Sequence, residues 1–182
     1  MKLMQRDKDI IEFIRTVKAV DAESISVIYF NGSLRSCQKR LKILSDADYI
    51  RRFRVDHWSE YIYYVGNKPK QWNHDIYLSR LINQLQMEGA EILKVKGSTK
   101  VGDVITDGIV AVKKDGFIKI YFIEIEKHYR IETIDKYKRL YDSGEWREAG
   151  FKTFPALILI CDKNINVDHM PFEIKHIPFD NI

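Results

Sequence analysis

Cysteine is scarce in this chain: two residues, Cys37 and Cys161, among 182. Without further cysteines or a secretion signal a disulfide framework is excluded, and both thiols are expected to be buried, reduced and structural. No apolar run approaches the roughly 20 residues of a membrane span. The leading MKLMQRDKDI carries charges where a signal peptide needs its apolar segment, so a cytoplasmic protein without membrane contact is expected. A Gly-rich phosphate loop, a Cys/His zinc spacing and a nucleophile elbow are also missing. The motif-bearing nucleotide, zinc and serine-hydrolase classes therefore have no foothold.

What is present suits one medium domain or two small ones. Hydrophobic residues make up 45% and aromatics 12%, enough for a real core. Net charge is +4, unevenly spread. Residues 1–70 hold 14 Lys and Arg against 9 acids, whereas residues 71–182 hold 16 against 17. The asymmetry predicts an anion-binding first module joined to a second of different purpose.

In the first module, Ile10, Phe13, Ile14 and Val17 fall at helical spacing over 7–18. Asp21 is a suitable N-cap for a short second helix containing Ile25, Ile28 and Tyr29. Asn31–Gly32 breaks the chain and Ser33 can cap a third helix. There Leu34, Cys37, Leu41 and Leu44 make the apolar stripe, while Arg35, Gln38, Lys39, Arg40 and Lys42 occupy the remaining surface. Strands are expected at Tyr49–Phe53 and Glu60–Val65 around the polar turn Asp56–Ser59. Three helices followed by a hairpin bearing Arg51, Arg52 and Arg54 make the parts of a winged helix-turn-helix over residues 1–66. A helix fits the major groove, its Arg and Gln side chains can read base edges, and hairpin arginines can meet phosphates. Trp58, Tyr61, Tyr63 and Tyr64 are read as packing the hairpin onto the module, with base stacking as the alternative.

Gly66–Lys70 lacks periodicity and carries Gly and Pro, marking the boundary. A second module over 74–182 then opens with an amphipathic helix near 74–88, containing Leu78, Leu81, Ile82 and Leu85. A short strand at Glu91–Val95, strands over 104–112 and 117–126, a helix over 131–143 and the apolar run Pro155–Cys161 follow. Helix, three strands, helix and strand describe a small α/β unit, so the whole chain is expected to be α+β. Asp115–Gly116 between the central strands is a strong hairpin signal.

Acids sit in that hairpin where a core strand has none: Asp107, Glu124 and Glu126. Strand alternation puts Glu124 and Glu126 on one face, and Asp107 on the neighbouring strand can join them. Three such carboxylates repel unless a cation sits among them, and a divalent metal is the usual occupant. The ordinary alternative is a solvated sheet face.

The element order resembles the common core of the PD-(D/E)XK nuclease superfamily, with Thr106–Asp107 at the "PD" position and Glu124–Ile125–Glu126 at the "(D/E)XK" position. Glu126 stands where that pattern has lysine. Lys127 follows but faces the other way in a regular strand, and Lys136 on the next helix can bring an ammonium back. Across both modules the chain resembles the replication-relaxation family of plasmids, conjugative elements and phages. The carriers are RSCQKRLKILSDADYIRRF, YIYYVG, NHDIYLSRLINQL, TDGIVAV, FIEIEKHYR, DKYKRLYD and FPALILI, in that order. The resemblance implies winged-helix DNA binding, an appended and often degenerate nuclease-like domain, and a role in replication, DNA relaxation or their control.

His74, at the start of its helix, and His128 and Tyr129, after the acids, are further candidates for phosphate or metal-water contacts. Tyr137 and Tyr141 read as core or interface residues.

The favoured reading is a non-enzymatic DNA-binding protein of a mobile element. Arg35, Gln38, Lys39, Lys42, Arg51, Arg52 and Arg54 would contact double-stranded DNA, and the second module would serve assembly with replication or relaxation proteins. The first alternative is a Mg²⁺-dependent deoxyribonuclease or nicking enzyme, with Asp107, Glu124 and Glu126 as metal ligands and Lys136 completing the catalytic set. The second is a winged-helix transcriptional regulator, for which the sequence offers no dimerisation element. Oligomeric state is left open.

Overall fold

The computed structural model describes residues 2–128, 130–163 and 169–182. The chain is α+β and divides into two compact units, Met1–Met87 and Glu88–Ile182.

In unit 1, α1 (Gln5–Val17) buries Ile10, Ile11, Ile14 and Val17 along one stripe. Asp7 accepts the Met4 N–H at 2.8 Å, satisfying a donor that the helix start leaves orphaned. The short β1 (Ala19–Asp21) was not foreseen, since three residues carry no periodicity to read. Its last residue caps α2 (Ala22–Phe30): Asp21 Oδ1 accepts the Ser24 N–H at 2.8 Å. Asn31 and Gly32, at φ 49° and 78°, turn the chain into α3 (Leu34–Asp46), which buries Cys37, Leu41 and Leu44. The Ser33 hydroxyl meets Ser36 instead of capping that helix. Strands β2 (Arg51–Phe53) and β3 (Ile62–Tyr64) are shorter than expected and form an antiparallel sheet in the order β1-β3-β2.

The helix expected to open the second module is α4 (Trp72–Met87), and it belongs to unit 1. Ile76 and Trp72 pack against Ala19, Ile62 and Phe53, and Arg80 reaches Asp21 at 2.9 Å. The division therefore falls after residue 87 and not in the Gly/Pro segment before the helix. Composition marked a bend in the chain there, while burial of the helix's apolar side decided where it packs. Moving the boundary adds Asp75 and Arg80 to the first unit and leaves the charge asymmetry unchanged.

Unit 2 is built on a five-stranded mixed sheet in the order β10 (Ile174–Ile177), β9 (Ala156–Ile160), β8 (Phe117–Ile125), β7 (Gly108–Lys114) and β4 (Glu91–Lys96). Strand β4 (Glu91–Lys96) pairs antiparallel with β7 (Gly108–Lys114), and β7 pairs antiparallel with β8 (Phe117–Ile125). The β7–β8 turn has Asp115 and Gly116 at φ 52° and 82°, the two left-handed residues that an Asp-Gly turn supplies. A crossover through α5 (Ile131–Ser143) then delivers β9 (Ala156–Ile160) parallel to β8. All five β9 residues are buried, as their unbroken apolar run predicts. Two additions were not anticipated: the small ribbon β5 (Thr99–Val101) with β6 (Val104–Thr106), and β10 (Ile174–Ile177) at the sheet edge. Both cysteines are free and buried, and burial pushes the Cys37 thiol up to about 12.

The core on the α5 side gathers Val101, Val104, Ile109, Phe122, Tyr137, Leu140, Trp146 and Leu157. Phe151 and Phe154 meet Phe122 edge-on, with centroids at 5.4 and 5.6 Å. Among the described residues no helix is long and apolar enough to cross a membrane.

Candidate functional site

Helix α3 and the β2–β3 hairpin enclose a cleft of about 490 Å³ in unit 1. Arg35, Gln38, Lys39 and Lys42 line it from the helix, and Arg52 and Arg54 from the hairpin. The convergence follows from two periodicities. Residues 35, 38, 39 and 42 share a helix face because they lie three or four apart, and 52 and 54 share a strand face because they lie two apart. By the same rule Arg51 falls on the opposite face with Phe53. It donates to Gly66 O at 3.3 Å, lies near Asp48, and does not line the cleft. Arg40 is also turned away: its guanidinium makes a bidentate pair with Asp7, which is fully buried. That guanidinium holds the Asp7 carboxyl below the usual range.

The hairpin cations are stacked as well as charged. Arg52 and Arg54 lie over the Tyr61 ring at 4.4 and 3.9 Å from its centroid, which fixes two flexible side chains against one flat surface. Asp46 tempers the positive field, since it pairs with Lys42 and lies 3.7 Å from Arg52. The aromatic residues divide. Tyr63 is buried and Tyr64 meets Phe53 edge-on, as a packing role requires. Trp58 does the reverse: it is 91% exposed at the hairpin tip and lines the cleft. Alternation cannot place it, because it lies in the turn and not in a strand.

In unit 2 the expected strand over 104–112 is interrupted at Asp107. Its Oδ2 accepts the Ile125 N–H at 2.8 Å, and the single proton of the Thr106 hydroxyl is shared between Ile123 O at 2.7 Å and Gly108 O at 2.9 Å. These bonds tie Asp107 to the end of β8, beside Glu124. Glu124 is only 4% exposed. Its Oε1 accepts from Lys136 Nζ at 2.6 Å and its Oε2 from the Tyr137 hydroxyl at 2.7 Å. Burial, and after it the charge of Asp107, push the Glu124 carboxyl up to about 7, while Lys136 pulls it down. Burial and the same Glu124 charge raise the Tyr137 hydroxyl well above its ordinary value, so it remains a donor.

Lys136 thus returns an ammonium to the acids, but the three-carboxylate metal site does not assemble. Among the described residues no three His, Cys, Asp or Glu side chains are grouped to hold one ion. Glu126 follows the last β8 residue, its N–H bonded to Ile160 O at 2.9 Å. Both Glu124 oxygens are engaged, so a Mg²⁺ there must share or displace the ammonium. Tyr137, which reads from sequence as a core or interface residue, takes part in this site. Its position one residue after Lys136 was the available signal. His128 is exposed, His74 lies on α4 in unit 1, and Tyr129 lies outside the described residues.

Compared with models of known protein families and with curated protein sequences, the chain matches none.

Proposed function

We propose that this protein binds double-stranded DNA through unit 1, with residues 1–66 acting as a winged helix-turn-helix. The observation that carries the reading is the cleft in which four side chains of α3 and two hairpin arginines face one space. In this reading α3 faces base edges, and Arg52 and Arg54 face phosphates. With three to five phosphates neutralised, affinity falls with salt at a log–log slope of about −2.7 to −4.5. Fluorescence anisotropy on a labelled duplex across a salt series tests this, and absence of binding at low salt ends it. The resemblance to the replication-relaxation family makes a mobile element's replication or DNA relaxation the setting, and unit 2, read as a nuclease-like domain, an assembly module.

A second reading, Mg²⁺-dependent DNA cleavage in unit 2, is favoured by the convergence of Asp107, Glu124 and Lys136. Two carboxylates suffice where substrate phosphate and water complete the metal shell, and the ion would neutralise charge on the phosphate. This reading ranks second because an internal cation already satisfies Glu124. It requires Mg²⁺ or Mn²⁺ to raise the melting temperature through linkage, and Asp107→Asn to abolish both that shift and nicking of plasmid DNA.

A further inference from the structure

The exposed indole of Trp58 is unexplained by a cleft that only tracks duplex phosphates. The ring is 91% exposed and so open to a ligand, and its turn holds it in place. Asp56 Oδ1 accepts the backbone N–H of Trp58 at 2.8 Å and of Ser59 at 2.7 Å, and Ser59 Oγ accepts the Asp56 N–H at 2.8 Å. His57 stands nearly perpendicular to the indole, at 83° and 5.2 Å, and so does not cover it by face-to-face stacking. Beside it, Tyr61 is sheathed by Arg52 and Arg54, so one wall of the cleft carries aromatic surface and positive charge together.

An intact duplex has no ready partner for a flat apolar face. Its base faces are covered by stacking, and it presents only edges, sugars and phosphates. An unpaired base offers an uncovered face, and stacking on it is tolerant of sequence. We propose, on the basis of the DNA-binding reading above, that the DNA recognised is a duplex interrupted by unpaired nucleotides, with Trp58 stacking on the first unpaired base while the cleft cations hold the adjoining backbone. The indole would mark the boundary between paired and unpaired strands.

The test compares a blunt duplex of about 30 base pairs with the same duplex carrying a central gap of about five nucleotides, since the ends are then identical. The full chain should favour the gapped form by roughly tenfold, the scale of one base stack. Trp58→Ala should remove that preference by weakening binding to the gapped form far more than to the intact duplex, and Trp58→Phe should restore most of it. Because the side chain is exposed and its turn is held by Asp56 and Ser59, the variants should melt with the native protein. Equal loss on both DNAs would mean insertion between stacked pairs and would overturn the proposal. So would unchanged binding to both, which would leave the indole for another partner. If the native chain binds neither DNA, the DNA-binding reading fails and this inference with it.

Discussion

Replacing Lys136 by Met keeps the apolar stem but removes the ammonium 2.6 Å from a nearly buried carboxylate. Even with the lysine present, the Glu124 carboxyl stands at about 7, against an ordinary value of 4.5. The folded state therefore prefers the protonated form. Its contribution to stability is full below about pH 4.5 and is lost as pH rises towards 7, a swing of roughly 3 kcal/mol. Without the ammonium the folded-state value rises further, and each added unit costs about 1.4 kcal/mol once pH exceeds it. Lys136 is 27% exposed, so a further rise of one to two units is a reasonable range, or about 1.2–1.9 kcal/mol at pH 8.5, where the carboxyl is not yet fully ionised. A domain the size of unit 2 loses roughly 4–8 °C per kcal/mol, giving a drop of about 5–15 °C. At pH 5.5 the carboxyl is mostly protonated in both proteins and the difference should nearly vanish. Differential scanning fluorimetry of the full chain at the two pH values measures this. An equal drop at both would show that the lysine acts through its stem and would refute the electrostatic account.

Four further outcomes follow from the same geometry. Arg54→Ala should flatten the salt dependence of DNA binding by about 0.9 in slope, whereas Arg51→Ala, on the other strand face, should leave it nearly unchanged. Asp46→Asn releases Lys42 and Arg52 and should tighten DNA binding at low salt, as a titration by anisotropy would show. Asp7→Asn leaves Arg40 without its buried partner and should cost about 3 kcal/mol in urea denaturation at pH 7; the deficit should shrink below about pH 4, because a carboxyl held low gives up its stabilisation as pH falls. Gly102→Ala should destabilise unit 2 by about 1–3 kcal/mol, because a Cβ would lie 2.3 Å from Glu145 Oε2 and 2.8 Å from Leu140 Cδ1 at a φ of +54°.

Much of the chain was legible because its signals are local. The limits of α5 and the buried run of β9 follow from periodicity and continuous apolarity, and the Asp115–Gly116 turn from two residues that tolerate positive φ. The Asp21 cap of α2 is a contact three residues long. Six of the seven predicted DNA-contacting side chains line one cleft, since helical and strand spacings already sort residues by face. Arg51 was misplaced only because the three hairpin arginines were taken together, without applying alternation between neighbours.

What sequence left undecided depends on partners distant along the chain. The amphipathic stripe of α4 announces that the helix packs, but not on which unit; Ala19, Ile62 and Asp21 decided that. The run of β10 is too short and irregular to be read, and it exists as a strand because β9 offers it an edge. At the acidic site, spacing alone made Asp107, Glu124 and Glu126 equivalent. Tertiary structure separated them: Asp107 gives an oxygen to the backbone of Ile125, Glu124 is buried between Lys136 and Tyr137, and Glu126 lies past the end of its strand. A residue's type and period determine which face it can occupy. Only the folded chain determines which charge stands opposite it, and at a buried carboxylate that opposing charge decides the chemistry.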